Sequence, residues 1–253
     1  EKSTWRQYKA ALIFFMKHNG PKECVEFLFA EGNEGCTKKK GGDRRGAMLK
    51  QKRLSRADLS KILSKLSAEN KWDRLLALWL TSAVITGLRP SEWAHTSLKG
   101  TRLTVKNGKH SNGRSNGETR HLDLTPITAT NLRAIKAFMI LLSKEDFESA
   151  YNGCRSRLRN ISRSIWPRRR SLPSLYSARH QFRADAAANG LKLNEVAALM
   201  GHASDETATT HYGRKAVGEK DTPIPLPLEE EVLRVRQIAK PFLPKKQVNP
   251  VTW

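Results

Sequence analysis

Residues 174–214 present Arg179, His202 and Tyr212 in that order, the residue types that phosphodiester chemistry by a tyrosine nucleophile would need. A guanidinium fork stays charged and grips phosphate oxygens, an imidazole N–H adds a hydrogen bond, and a phenol oxygen can attack phosphorus. Local sequence says how they would be held. Ser177 is a predicted N-cap, residues 178–189 favour helix, and Gly190 is a predicted stop. Arg179 then falls in a first helical turn, where it can join free backbone N–H groups and the positive end of the helix dipole in holding a phosphate. Leu193, Val196, Ala197 and Met200 recur at spacings of three and four, which predicts a second helix with one apolar face, ended by Gly201. His202 is delivered just past that end, and Ser204 can cap a third short helix with Tyr212 about two turns along it.

This arrangement closely resembles the tyrosine recombinase and phage integrase family. The signature there is an early arginine, a lysine in a β-hairpin, an H-x-x-R box, a Gly-His pair and then a tyrosine. The early arginine is Arg89 in TGLRPSEW, residues 86–93. It follows WDRLLALWLTSAVITG, which is apolar nearly all round and reads as a buried helix; Gly87 can end it and Pro90 can open the next turn. For the second arginine, the literal H-x-x-R from His180 to Arg183 is rejected. The family writes this box H-x-x-R-H-x-F, and residues 176–182 fit it at every position but the first. Arg179 also has the family's distance to Gly201-His202. Tyr176 thus stands where a histidine is commoner, and a phenol donates a hydrogen bond but is a poor base near neutral pH. Residues 101–109 alternate as a strand, HSNGRSNGE is a turn-rich tip, and TRHLDL is a return strand. Lys109, at the end of the first strand, matches the family's hairpin lysine better; Lys106 is the alternative. Tyr212 lies one residue further past Gly-His than is usual.

Each residue also has a plain structural reading. An arginine after a buried helix often serves as a cap or salt-bridge partner, and a histidine after glycine is often a satisfied turn residue. Tyr212 by itself would be a half-buried helix residue. Order and spacing raise the catalytic reading above these. His180 reads as structural, packed beneath the arginine helix, and His211 and Arg214 as a solvated edge or as phosphate contacts.

Composition points the same way. Lys and Arg number 46 against 24 Asp and Glu, a formal net charge of +22, and the excess is spread along the chain as suits a protein that surrounds DNA. RNA or an anionic membrane would satisfy charge equally well, but no segment has the length of a membrane span. Cys24, Cys36 and Cys154 lack metal-site spacing and read as reduced intracellular thiols. No Walker loop, dinucleotide fingerprint or zinc motif is present, so no cofactor and no metal is inferred.

The elements predict a mixed, mainly α fold with a small antiparallel β-hairpin or sheet, and the resemblance implies the DNA breaking-rejoining catalytic fold. Residues 1–34 read as helical, with Trp5, Tyr8, Leu12 and Phe15 on one side, and resemble a truncated core-binding region. The chain opens on Glu1, which reads as the interior of a longer protein. Residues 35–53 form a basic, glycine-rich linker suited to lie along phosphates. The catalytic domain spans residues 54–220. It contains a capped helix in LSRADLSKILSKL, an apolar-faced helix in NLRAIKAFMILL, and a basic helix that packs Leu158, Ile161 and Ile165 while its other face meets DNA. Residues 221–253 are a C-terminal tail in which alternating prolines forbid helix before EEEVLRVRQIA resumes it. Such tails resemble those exchanged between recombinase protomers; packing at home is the alternative.

The resemblance implies that Arg89 and Arg179 neutralise the nonbridging oxygens, Tyr212 attacks phosphorus, His202 and Tyr176 add hydrogen bonds, and Lys109 protonates the departing 5′ oxygen. The 3′-phosphotyrosyl intermediate conserves bond energy, so rejoining needs neither ATP nor metal. Double-stranded DNA is the implied partner, with a homotetramer on paired sites, possible accessory DNA-bending proteins and a cytoplasmic, nucleoid-associated setting in a bacterium. A type IB topoisomerase, a telomere resolvase and a non-catalytic DNA-binding protein of the same fold remain as alternatives.

Overall fold

The computed structural model describes residues 2–32, 49–51, 53–108, 115–205 and 218–238. The chain divides into two compact units, residues 1–48 and 49–253.

The first unit is a pair of helices, α1 (Lys2–Asn19) and α2 (Lys22–Ala30). Pro21 breaks what the sequence reads as one helical run and caps the second piece in extended conformation. Trp5 Nε1 donates to Gly32 O at 2.9 Å, and Lys9 Nζ reaches the carbonyls of Phe29 and Glu31, which ties the two helices together. The predicted apolar side is not buried as a set: Trp5 is half-buried, whereas Tyr8, Leu12 and Phe15 are exposed. The 9 residues of α2 have too little surface to cover a stripe about three turns long.

The second unit is mainly helical around a small sheet, as expected from the alternation of apolar-faced helices with one hairpin. After β1 (Leu49–Lys50), Ser55 caps α3 (Arg56–Leu63) by accepting from Asp58 N. Asn70 accepts from Trp72 N and Asp73 N to start α4 (Lys71–Thr86), the central helix, which buries Leu75, Leu76, Trp79, Leu80 and Ala83. A 3₁₀ turn (Pro90–His95) leads into β2 (Thr96–Lys99), β3 (Arg102–Lys106) and β4 (Thr119–Asp123). The hairpin is therefore extended to a sheet by β2, which the sequence reading passed over because four residues of TSLK carry little pattern of their own.

Two long helices follow, α5 (Ala129–Leu142) and α6 (Phe147–Ile165), capped by Thr128 and Asp146. Their aromatic residues Phe138, Phe147 and Tyr151 gather on Trp79 with centroids 5.3, 6.2 and 6.3 Å away. On α6, Leu158 and Ile161 are buried and Ile165 half-buried, while Arg157 grips Asp73 with two bonds of 2.6 and 2.7 Å. Then come β5 (Ser171–Leu172), parallel to β1, and helices α7 (Ser177–Ala188) and α8 (Leu193–Leu199).

The tail departs from its reading. Its proline run is not merely non-helical: Leu226–Pro227 forms β6, which pairs antiparallel with the end of β4 and completes the order β2-β3-β4-β6. An edge position is where a strand tolerates proline. The following helix, α9 (Glu229–Leu233), is shorter than EEEVLRVRQIA promises, because Arg236 leaves it to bridge Ser204. Glu231 is fully buried and accepts from His121 N and Nδ1, and Val235 packs on Ala197 and Ala198. The described part of the tail thus packs on its own unit. No helix among the described residues is long and apolar enough to cross a membrane.

Candidate functional site

Arg89 owes its position to the way α4 ends. Gly87 takes φ +67° and its N–H returns to Ala83 O, a left-handed cap that glycine adopts without strain. A Cβ there would also lie 2.2 Å from the Phe182 ring, so the close packing of α7 on this corner demands glycine twice over. Pro90 then opens the 3₁₀ turn as predicted. Three residues on, the Glu92 carboxylate turns back and accepts from Arg89 N at 2.8 Å and from its guanidinium at 2.5 Å. Arg89 is buried to 9% exposure, yet its Nε has no hydrogen-bond partner among the described residues.

Glu92 is the hub that the sequence reading missed. It also accepts from Arg120 at 2.7 Å and lies 3.7 Å from Arg179. Burial raises its pKa, but the charges of Arg120, Arg179 and Arg89 outweigh that and hold the carboxyl well below its ordinary value. Arg120 is itself fully buried on β4, donating Nε to Leu199 O at 2.8 Å and another nitrogen to Asn107 Oδ1. Two signals were available: the Arg-x-x-Glu spacing of residues 89–92, and a charged residue in the inward register beside Leu122.

Arg179 sits in the first turn of α7, but not as forecast. Ser177 is the first residue of that helix and not its cap; its buried hydroxyl donates to Gln51 O and accepts from Ser174 N. The arginine does not turn towards the free N–H groups of its own helix. It is 1% exposed and donates to Gly87 O and Met200 O, both at 2.6 Å, and to His202 Nε2 at 3.1 Å. These carbonyls close α4 and α8, where the helix dipole is negative and a cation is favoured. Burial, with Arg89 next, brings its pKa down to about 10, which leaves it charged at neutral pH.

His202 follows Gly201, another left-handed residue at φ +63°, whose Cβ would lie 2.3 Å from Asn107 Oδ1. Of the predicted apolar face before it, Val196, Ala197 and Met200 are buried with Ala198 and Leu199, whereas Leu193 is exposed. An arginine can only donate, so His202 Nε2 accepts and the imidazole proton belongs on Nδ1. Burial first, and then the charges of Arg179, Arg89 and Arg120, push the histidine down to about 2. The ring is neutral, and its Nδ1 is buried with no hydrogen-bond partner among the described residues. Three guanidinium groups thus face one carboxylate and a neutral imidazole. The cluster keeps a net positive charge, and the N–H groups of Arg89 Nε and His202 Nδ1, without partners among the described residues, suit an anion.

Tyr176 lies at the entry to α7, 40% exposed, with the half-buried His180 edge-on at 5.2 Å. With Arg89, Tyr151 and Arg155 it lines a cleft of about 480 Å³. The structure therefore brings Arg89, Arg179 and His202 together and sets Tyr176 beside Arg89. Lys106 is exposed at the end of β3 and pairs with Glu118 at 3.5 Å. Lys109, Tyr212, His211 and Arg214 lie outside the described residues, as does the third helix that Ser204 was to cap. Among the described residues no group of three or more His, Cys, Asp or Glu side chains is arranged to hold a metal. Burial pushes the Cys154 thiol up to about 12, which makes it unreactive.

Neither protein-family models nor curated proteins give a match to this chain. Among solved structures it is weakly similar to the XerH site-specific recombinase bound to difH substrate in a pre-cleavage complex, at 18% identity and a TM-score of 0.44, covering 63% of this chain and 49% of that one. A post-cleavage complex of the same recombinase with palindromic difH substrate is similar at 19% identity and a TM-score of 0.45, covering 64% and 50%. The chain thus spans about half the length of the structures it resembles.

Proposed function

We propose that this chain carries the catalytic domain of a tyrosine-type DNA strand transferase, a site-specific recombinase or integrase that cuts and rejoins strands through a 3′-phosphotyrosyl intermediate. The observation that supports the reading is the buried cationic cluster, in which Arg89, Arg179 and His202 come together from the ends of three helices, with two N–H groups that have no partner among the described residues. A pentacoordinate phosphorane concentrates negative charge on its nonbridging oxygens, and preorganised donors stabilise that charge more than the ground state. Arg89 and the Nδ1–H of His202 supply such donors, Arg179 holds the imidazole in the donating tautomer, and Tyr176 adds its phenol from the cleft wall. Tyr212 attacks phosphorus and Lys109, or Lys106 in its place, protonates the 5′ oxygen. Double-stranded DNA is the partner, held by the net positive charge, and a homotetramer on paired sites, assisted by accessory DNA-bending proteins, exchanges strands in the cytoplasm.

A second reading has one observation in its favour. Both terminal nitrogens of Arg179 are occupied by backbone carbonyls and His202, as suits a DNA-binding protein that keeps the arginine for structure. Covalent trapping separates the two. Incubation with the neighbouring genomic DNA, denaturation and peptide mapping should give a DNA adduct on Tyr212, and Tyr212→Phe should keep binding and lose the adduct. Binding with no adduct in the unaltered protein would establish the non-catalytic reading, and an adduct on another tyrosine would displace Tyr212. Supercoil relaxation or hairpin ends as the product would instead mark a topoisomerase or a telomere resolvase.

A further inference from the structure

We infer that Arg120 is a positioning residue for the strand-transfer reaction, fixing Arg89 and His202 in register with each other. The inference rests on the reading just proposed. Arg120 touches neither residue directly, and it is too deeply buried in the sheet to meet DNA. Its planar guanidinium joins three separate segments. One nitrogen holds Glu92 Oε2 at 2.7 Å, and the other oxygen of that carboxylate holds the Arg89 guanidinium. Nε holds Leu199 O at 2.8 Å, the last residue of α8, two residues before the glycine that presents His202. The third nitrogen holds Asn107 Oδ1, against which Gly201 is packed so tightly that it has no room for a Cβ.

One side chain therefore sets both the carboxylate that aims Arg89 and the turn that aims His202. A lysine has no fork and cannot span them. An arginine whose only task was to fill the core would be a poor choice, since a buried charge costs more to desolvate than an apolar residue of similar size.

The test compares wild type, Arg89→Ala, Arg120→Met and Arg120→Lys on two substrates: ordinary site DNA, and the same DNA with a methylphosphonate at the scissile position. A methyl group in place of one nonbridging oxygen removes the charge that Arg89 neutralises, so the penalty for a lost or misplaced arginine shrinks on that substrate. Arg120→Met should slow cleavage of ordinary DNA by roughly a hundredfold, the order expected when reacting groups are displaced by about an ångström. Its DNA affinity should be unchanged, and most of the defect should vanish on the methylphosphonate, as for Arg89→Ala. Arg120→Lys, which keeps the charge, tests the same point should the methionine variant not fold. A defect of equal size on both substrates, or full activity in a folded variant, would overturn the inference while leaving the strand-transferase reading intact. A wild-type protein that forms no covalent adduct on ordinary DNA would remove both.

Discussion

The neutral state of His202 has a consequence for how the protein responds to acid. In the folded chain the imidazole stays unprotonated down to about 2, whereas its ordinary value is 6.5. Between those values the unfolded chain binds a proton that the folded chain refuses, so stability falls as pH drops through that window. His202→Gln keeps an acceptor for Arg179 and has nothing to protonate; its stability should therefore change less than that of wild type between pH 6.5 and 4.5, as urea unfolding at several pH values will show. Below about 4.5 the depressed Glu92 carboxyl adds its own loss in both proteins. In the cleavage reaction no inflection near pH 6.5 should come from this histidine. Arg179 has a structural task beside the one proposed for it in catalysis. Removing its side chain leaves the Gly87 and Met200 carbonyls unpaired in the core, at about 1–3 kcal/mol each, so Arg179→Ala should lower the melting temperature as well as the rate. The gathering of Arg89, Arg179 and His202 in one cluster was readable where chemistry and spacing coincide. Arg120 was missed because a charged residue in a strand looks like a surface residue unless its alternation with Leu122 is weighed, and its pairing with Val105 then places it inside.

Elements were legible where the sequence carries its own punctuation. Ser55 caps a helix that begins where the pattern places it, and Gly87 and Pro90 make the corner that holds Arg89, whereas the basic helix read from residue 155 begins at Phe147, behind the cap of Asp146. Ser177 misled because its hydroxyl has a partner outside the helix, in Gln51 O, that no local rule reveals. The strand of Leu226–Pro227 was invisible for a related reason: its pairing is decided by the free edge of β4 and not by its own residues. Two predictions belong at this scale. Gly87→Ala puts a Cβ into Phe182 and a side chain at positive φ, and should destabilise by more than about 1 kcal/mol; Gly87→Ala with Phe182→Leu should recover only the steric part, measured by urea unfolding. Deleting residues 221–253 removes buried Ile224, Glu231 and Val235. The truncated protein should therefore melt lower even without DNA, and an unchanged melting point would contradict the packing of the tail on its own unit.

At the scale of the whole molecule, the charge of +22 should appear as steep salt dependence of DNA binding, since each phosphate neutralised releases counterions. Arg155 is exposed and lines the same cleft as Arg89, so its charge is offered to one such phosphate. Arg155→Ala should reduce the slope of log affinity against log salt by about 0.9, and titrations at four or five salt concentrations are enough to see it. The cluster at the centre of the second unit also has a consequence in time. Arg89 and Glu92 can pair within one turn, but the bonds that complete the cluster join residues 28, 79 and 92 positions apart. Ribosomal synthesis delivers the chain in order, so residue 202 emerges well after residues 89 and 120. Until then the arginines have no shared carbonyls at the end of α8 to close upon, and the proposed nucleophile has not been made. On the function proposed above, a growing chain, or one cut short, holds basic surface for DNA before it has the means to break it, and strand cleavage would be withheld until the fold that can reseal the break exists.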